Sequence, residues 1–272
     1  MMAKSPKLSL SVTSLLLFGL VALGQQAPKD KQYYLDKAQN NFPQTSNEYR
    51  YWLDSAIVVY PNDAELWREV ATSFFKAGEY GPAMRCINKA VELDPKQWLG
   101  YRAFMKCIFM KDYAPAIEDF KQALDLKNGY YEIDHTYHFY IAISYLKLNQ
   151  LDSADQHIAQ SLKFQMPNGQ GSGHHLDWFY WGLIKHRKKQ DKKAIEYYDK
   201  ALTQYSNFPD AMYYKALVLL KTGEKQAAKI LLENAKKSLK KGYKLNEDNE
   251  YYVNYPYQIT PNEVNELLQK NP

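Results

Sequence analysis

The sequence predicts an all-α fold in which helix hairpins follow one another along the chain. The main observation is a repeat, because alanines in amphipathic patterns at Ala56, Ala90 and Ala123 lie 34 and 33 residues apart. Ala201 and Ala235 are again 34 residues apart. Two helices of about 12 residues with two short turns account for such a period. Prolines and glycines fall at the predicted turns, which supports the same division of the chain.

This punctuation follows from backbone preferences. Pro82 and Pro115 stand in the first turn of predicted second helices, where a missing N–H costs nothing. Gly78 and Gly223 follow predicted first helices, where a left-handed residue ends a helix at low cost. Each unit is therefore expected to be one antiparallel hairpin, which buries its apolar faces only against its neighbours.

The clearest unit carries a recognisable pattern of large and small residues. Its members are Trp67, Val70, Ala71 and Phe74 in a first helix, Ala83, Ile87 and Ala90 in a second helix, and then Pro95. At every marked position this unit resembles the tetratricopeptide repeat (TPR) family. The resemblance implies a right-handed superhelix, a binding role for protein or peptide partners, and no enzymatic activity.

Weaker copies of the pattern predict six hairpins from residue 25 to 242. The units are expected near residues 30–63, 64–97, 98–130, 135–168, 175–208 and 209–242. The first is degenerate, since Lys37 and Tyr49 replace expected small residues, although Thr45 and Glu48 have the spacing of a capping box before its second helix. Insertions at residues 127–134 and 165–174 separate the third, fourth and fifth units.

The remaining residues, 243–272, lack the repeat pattern. Residues 246–260 are polar and rich in tyrosine, which predicts an extended segment. Thr260, Pro261 and Glu263 have the order of an N-cap, a first-turn proline and the partner of a capping box, which predicts a short helix. We expect segment and helix to cover the exposed end of the last repeat.

The first 24 residues have the pattern of a signal peptide. Lys4 and Lys7 precede an apolar stretch at residues 15–23, and the small residues Ala22 and Gly24 predict cleavage after Gly24. A retained anchor is the alternative, but the apolar run is only about half of the roughly 20 residues that span a bilayer. The expected location is periplasmic or secreted, without stable membrane insertion after cleavage.

Composition and motifs argue against several functions. Without residues 1–24 the chain has 35 − 2 = 33 basic and 30 acidic residues, a formal charge of +3, which does not favour nucleic-acid binding. The sequence contains no G-x-S-x-G, HExxH or phosphate-binding glycine loop, and Cys86 and Cys107 are not a C-x-x-C pair. We therefore predict a non-enzymatic scaffold that has no cofactor and acts in the cell envelope or outside the cell.

Resemblance to the TPR family also implies a binding surface, because first helices of such arrays line a concave groove. It places there Arg68, Thr72, Lys76, Arg102, Lys106, Phe139, Ile143, Phe179, Leu183, Arg187 and Tyr213. The predicted ligand is an extended peptide with an acidic end near Arg68 and Arg102 and apolar side chains on the later aromatic rings. Thr72 stands where a carboxylate-clamp asparagine is expected, which argues against a chaperone-type clamp. An alternative is that Phe139 and Phe179 stack on envelope glycans.

A second alternative is a metal-binding edge. His135 and His138 begin the fourth unit, while His174, His175 and Asp177 begin the fifth, and imidazole with carboxylate suits zinc. The predicted ligands are His135, His138 and either His174 or His175, with Asp177 as a fourth. The competing interpretation is that His138 packs in the core and the others cap helices or face solvent.

Overall fold

A computed structural model describes residues 29–126 and 131–271. The predicted signal peptide, residues 1–24, lies outside the described residues. Within them, twelve helices form six consecutive hairpins, and a thirteenth helix follows. The hairpins are α1 (Lys31–Gln39) with α2 (Asn47–Val59), α3 (Ala64–Lys76) with α4 (Tyr80–Leu93), α5 (Pro95–Phe104) with α6 (Tyr113–Asp125), α7 (Tyr137–Lys147) with α8 (Leu151–Gln165), α9 (His175–Arg187) with α10 (Asp191–Gln204), and α11 (Pro209–Thr222) with α12 (Lys225–Lys240); α13 is Pro261–Lys270.

The periodic alanines lie in the buried core of the array. Ala56, Ala90, Ala123, Ala201 and Ala235 are all buried, and each lies on the second helix of its hairpin. A methyl group there allows two helix backbones to approach, while larger neighbouring side chains fill the remaining space. The prediction of an all-α superhelical array of about six hairpins is confirmed.

The glycines at the predicted turns adopt the left-handed conformation, and residues other than glycine adopt it at two further turns. Gly78 and Gly223 have φ angles of 77° and 91° after α3 and α11. At the corresponding turns after α7 and α9, Asn149 and Lys189 take φ angles of 61° and 59°. Asparagine tolerates this left-handed conformation, whereas lysine is uncommon there.

The first helix of the third hairpin ends differently from the others. After Phe104 the chain continues through a π-helical turn, Met105–Phe109, before the left-handed residue Lys111. Such turns are rare and often occur at functional sites. This turn places Lys111 against a distant part of the chain.

The first insertion contains a small β-ladder that was not predicted from the sequence. Strands β1 (Tyr131–Glu132) and β2 (His135–Thr136) pair antiparallel. They approach α5 at Gly100, where an added Cβ would lie 2.9 Å from the Glu132 carboxylate and 2.3 Å from the Tyr137 hydroxyl. Gly100 is thus the residue that lets the ladder pack on the array.

Two helix starts test the predicted capping motifs. The N-cap of α2 is Ser46, whose Oγ accepts the N–H of Tyr49 (3.1 Å), so the box predicted at Thr45 begins one residue too early. The capping box of α13 is confirmed, with Thr260 and Glu263 bonded reciprocally.

The end of the array is covered by α13. Val264 on α13 and Ile259 just before it pack with Leu219, Ala228 and Leu232 of the last hairpin. Most residues between α12 and α13 do not share this position, because they turn to the inner surface of the array before the chain returns to the end cluster at Ile259. None of the helices in residues 29–126 and 131–271 combines the length and apolar character needed to cross a membrane.

Candidate peptide-binding groove

The inner surface of the array is formed by the first helices of neighbouring hairpins. Phe104 on α5 meets Tyr140 on α7 with ring centroids 5.3 Å apart, and Phe139 on α7 meets Tyr180 on α9 at 5.5 Å. Residues 243–260 of the same chain lie along this surface. We call this stretch the groove segment.

The array holds the groove segment largely through its backbone. Three side chains meet backbone carbonyls, and one carboxylate accepts a backbone N–H. The pairs are Lys111 with Asn254 O, Tyr180 with Pro256 O (2.7 Å), His175 with Leu245 O (3.1 Å), and Asp210 with Ile259 N–H (2.8 Å). Every peptide has these backbone groups, so the contacts depend on the course of the bound chain more than on its sequence. The predicted extended conformation of this segment is wrong in part, because Asp248–Tyr251 form a 3-10 helix and Asn246 and Tyr257 have left-handed φ angles of 71° and 64°.

Two side chains of the groove segment anchor it in the core. Leu245 is fully buried and Tyr255 is 3% exposed, and both belong to the main hydrophobic cluster of the array. The Tyr255 hydroxyl lies 3.4 Å from the carboxylate of Glu247, another buried residue of the segment. Buried aromatic anchors of this kind dominate the energetics of peptide recognition.

A cationic rim borders the groove at the carboxyl ends of the first helices. The ammonium groups of Lys76 and Lys147 lie 4.7 Å and 4.8 Å from the ring centroids of Tyr252 and Tyr257. Arg187 donates to the Tyr257 hydroxyl at 2.7 Å. Cation–π contacts and a charge-assisted hydrogen bond therefore favour aromatic residues in any chain that binds here.

Burial changes the acidity of the groups that hold the segment. Removal from water lowers the pKa of Lys111 to about 8 and raises the pKa of Asp210 to about 7. Burial also raises the pKa of Tyr255 above its usual range. These shifts share one cause, since a low-dielectric environment disfavours the charged form of each group.

Among the predicted groove residues, Lys76 and Arg187 contact the groove segment, while Arg68 and Thr72 do not. Arg68 forms an ion pair with Glu69 (2.9 Å), and its guanidinium lies over the ring of Trp98. Thr72 is buried and hydrogen-bonds the Tyr101 hydroxyl at 2.7 Å. Both residues therefore join α3 to α5.

Arg102, which was predicted to bind the acidic end of a peptide, instead pairs with an acidic residue of the same chain. Arg102 and Lys106 both bind the buried carboxylate of Asp119, at 2.8 Å and 2.6 Å. Asp119 lies on α6, so these bonds hold the two helices of the third hairpin together. The sequence alone did not indicate that Asp119 would lie opposite both cations.

The predicted aromatic lining of an open groove is wrong for Phe139 and Phe179. Neither ring has exposed surface, and Ile143 and Leu183 are buried as well. The first helices are covered both by their neighbours and by the groove segment, so these side chains belong to the continuous core. Tyr213 is half-buried and packs with the end cluster formed by α11, α12 and α13.

Four of the histidines form two separate groups. Nε2 of His135 lies 3.0 Å from Oε1 of Glu247, and the rings of His135 and His174 are 4.7 Å apart at their centroids. His138 instead meets His157, with 2.9 Å between their Nδ1 atoms. The predicted grouping of His135 with His138 is wrong, because His135 lies in β2 and only His138 lies on α7.

The other predicted metal ligands have partners of their own. His175 meets the Leu245 carbonyl, as described above. Asp177 is fully buried and accepts a hydrogen bond from Ser161, and burial raises the pKa of its carboxyl group.

Several residues that hold the groove segment were not predicted from the sequence, namely Lys111, Tyr180, Asp210, Glu247 and Tyr255. The available signal was the group of closely spaced tyrosines after the last repeat. Tyrosine rings tend to pack on apolar surface, and α13 already covers the apolar end of the last hairpin.

Two parts of the chain match family models described as tetratricopeptide repeat, at residues 64–97 and 187–237. Anaphase-promoting complex subunit 3 of Schizosaccharomyces pombe is 26% identical over 194 residues, which cover 71% of this chain. The chain spans only 28% of the length of that curated relative.

Solved structures show the same architecture. PilW, a type IV pilus biogenesis factor, superposes with a TM-score of 0.65 and 15% identity, covering 79% of this chain and 96% of PilW. YrrB, a TPR protein with an unusual peptide-binding site, gives a TM-score of 0.50 and 18% identity, covering 68% and 91% of the two chains. The chain therefore contains TPR repeats and folds as an all-α TPR array.

Proposed function

We propose that this chain is a non-enzymatic scaffold whose groove binds a polypeptide segment of another protein. The observation that carries the proposal is the groove segment, which Lys111, Tyr180 and Asp210 hold through its backbone. The segment is an intramolecular ligand of the groove, and a partner binds by displacing it. Binding of protein or peptide partners is the common activity of TPR arrays, and YrrB is an example with a peptide-binding site.

The contacts of the groove segment also indicate the chemistry of the partner. A partner needs a backbone that can follow the course of the groove segment, one large aromatic side chain for the Tyr255 position and further aromatic rings for the Lys76 and Arg187 rim. The acidic end expected from the sequence is not part of this proposal, since Arg102 is already paired with Asp119.

A labelled peptide of residues 243–260 tests the groove in trans. The intramolecular segment competes at a millimolar effective concentration, so the wild-type chain should bind the peptide weakly. Tyr255→Ala in the full chain removes the anchor, and fluorescence anisotropy should then show peptide affinity higher by about 10-fold or more. Tyr251→Ala is the matched control, because Tyr251 belongs to the same segment but is 83% exposed.

Specificity for the anchor is checked with the peptide that itself carries Tyr255→Ala, which should bind poorly to every chain. Circular dichroism establishes that each variant chain is folded. Equal peptide affinity in wild-type and Tyr255→Ala chains, or equal binding of both peptides, would contradict the proposal.

We further propose that the scaffold acts in the cell envelope or outside the cell. The support is the sequence pattern of Lys4, Lys7 and residues 15–23. The intact mass of the protein isolated from its native host should correspond to a chain beginning at Gln25. A mass that retains residues 1–24 would argue for an anchor instead.

The glycan-binding alternative is not favoured, because it requires Phe139 and Phe179 to stack on sugar rings. Both rings are buried.

A further inference from the structure

Three side chains with metal-binding chemistry meet where the groove segment crosses the start of α9. His135 comes from β2, His174 is the N-cap residue of α9, and Glu247 belongs to the groove segment. One ligand atom from each residue lies within 4.8 Å of the other two. The chain separation of 112 residues between His135 and Glu247 means that only the tertiary fold creates this cluster.

The surroundings of the cluster resemble those of a binding site more than those of a solvated surface. His135 has no exposed surface and Glu247 is 6% exposed. Nδ1 of His135 is buried and has no hydrogen-bond partner among the described residues. The ring nitrogen of His135 that meets a neighbouring group is therefore Nε2, which lies against the Glu247 carboxylate.

The spacing of the ligand atoms also suits a small ion. Nε2 of His135 and Oε1 of Glu247 are 3.0 Å apart. Two ligands with bonds of about 2.0 Å to a tetrahedral zinc ion lie roughly 3.3 Å from each other. An ion can therefore enter between them with little movement of either side chain.

We propose that His135, His174 and Glu247 bind one zinc-class divalent ion, which links the groove segment to the array. Two imidazoles and a carboxylate are characteristic zinc ligands, and three protein ligands leave a fourth position. Water can fill that position.

When the ion binds, hydrogen bonds of His135 and His174 are replaced by bonds to the metal. At His135 the ion takes the Nε2 lone pair, so the proton of the neutral ring resides on Nδ1. At His174 the ring nitrogen Nδ1 now accepts the N–H of Leu176 at 3.3 Å. A neutral imidazole has one free lone pair, so His174 gives up this long cap when it coordinates the ion. The ring of His135 is already held by stacking on Phe139, with centroids 4.0 Å apart.

The consequence for the groove follows from where the ligands lie, and this step rests on the proposed function. His135 and His174 belong to the array, whereas Glu247 belongs to the segment that a partner must displace. An ion that needs all three ligands binds only the closed groove. Free zinc at 100 times its dissociation constant would then raise the ratio of closed to open groove about 100-fold.

Isothermal titration of the metal-free mature chain with zinc chloride tests the site. We expect one zinc ion per chain, with affinity reduced at least about 10-fold in Glu247→Gln and in His174→Ala. Glu247→Gln keeps the size of the side chain and an oxygen acceptor for His135, so a loss of zinc affinity reports on coordination. His157→Gln is the matched control and should bind zinc like the wild type, because His157 pairs with His138 away from the cluster.

Two results would overturn the site: no zinc heat at tens of micromolar, or unchanged affinity in folded Glu247→Gln. Loss in His157→Gln with retention in Glu247→Gln would place the ion at His138 and His157 and would equally refute the proposal. The peptide titration of Tyr255→Ala is run with a chelator present, so its failure counts against the groove function alone. Zinc should weaken the binding of a residue 243–260 peptide that carries Glu247→Gln to the wild-type chain, but not to the Glu247→Gln chain, because this peptide cannot complete the metal site.

Discussion

Lys111 shows how one side chain connects a local backbone feature to the groove. It follows the π-helical turn, adopts a φ angle of 59°, and donates to the carbonyl of Ile108 at 2.6 Å and to that of Asn254. The amine is thereby removed from water, and this burial lowers its pKa to about 8. A lysine in an exposed turn would have neither a contact with Asn254 nor a lowered pKa. Contact with the groove segment therefore contributes to the lowered pKa of Lys111.

The lowered pKa predicts a specific pH dependence of stability. Below about pH 8 Lys111 is protonated in both the folded and the unfolded chain, so the penalty for burying its charge is fully present. Between about pH 8 and the ordinary lysine value of 10.5, the folded chain loses the proton while the unfolded chain keeps it. The contribution of Lys111 to stability therefore rises with pH across this interval.

Urea unfolding from pH 7.5 to 10 measures this effect as the difference between wild type and Lys111→Met. The difference should change in favour of the wild type as the pH rises. Lys163→Met, an exposed substitution on α8, should follow the wild type throughout. A constant difference between wild type and Lys111→Met would show that Lys111 titrates alike in both states.

At the scale of elements, the hairpins depend on close approach between their two helices. In the fifth hairpin Gly182 on α9 faces the ring of Tyr198 on α10, and a Cβ added at Gly182 would lie 2.5 Å from that ring. Tyr198 has no exposed surface, and its buried hydroxyl has no hydrogen-bond partner within residues 29–126 and 131–271. The ring of Tyr198 therefore occupies the space that a side chain at residue 182 would need.

We predict that Gly182→Ala destabilises the protein by about 1–3 kcal/mol, because the ring cannot move aside in a packed core. Tyr198→Leu provides room for the new methyl group. The double variant should consequently lose less stability than the sum of the two single losses. Thermal or urea unfolding of the four proteins gives the coupling, and simple additivity would mean that the two residues do not compete for space.

At the scale of the whole molecule, the groove segment changes how the array is held together. Repeat arrays are usually stabilised by contacts between neighbouring units only. Here the segment leaves the last hairpin and reaches Lys76 in the second hairpin through Tyr252. Lys111 and Asn254 are in contact although 143 residues separate them in sequence. The segment therefore couples hairpins that are not neighbours along the array.

Limited proteolysis should reveal this arrangement. Within the groove segment, Tyr251 and Tyr252 are exposed, whereas Tyr255 is buried. Chymotrypsin should cut the native segment first after Tyr251 or Tyr252, because cleavage requires an accessible and locally mobile backbone. The carboxyl-terminal fragment should remain bound through Tyr255 and α13 and co-elute in size-exclusion chromatography.

Mass spectrometry of timed samples identifies these cuts. Tyr255→Ala should accelerate cleavage throughout the segment, and Tyr51→Ala, an exposed substitution on α2, should not. An early cut after Tyr255 in the native wild-type chain would mean that the segment does not occupy the groove.

The sequence by itself determined the helices, their pairing and the cap of the array. Each hairpin is encoded within about 34 residues, since alanine spacing, glycine turns and first-turn prolines act on their own neighbours. The same local chemistry located α13, because Thr260 and Glu263 are three residues apart. Periodicity also predicts which helix faces are buried within and between hairpins. It does not predict burial by residues outside the repeats.

Only the tertiary structure decided what covers the inner surface. Whether Phe179 is exposed depends on the path of residues 243–260, and no pattern around Phe179 records that path. The cluster of His135, His174 and Glu247 likewise joins an insertion, a helix start and the carboxyl-terminal segment. Long-range contacts of this kind are set by packing and solvent exclusion after the helices have formed, so they leave no periodic signal in the sequence.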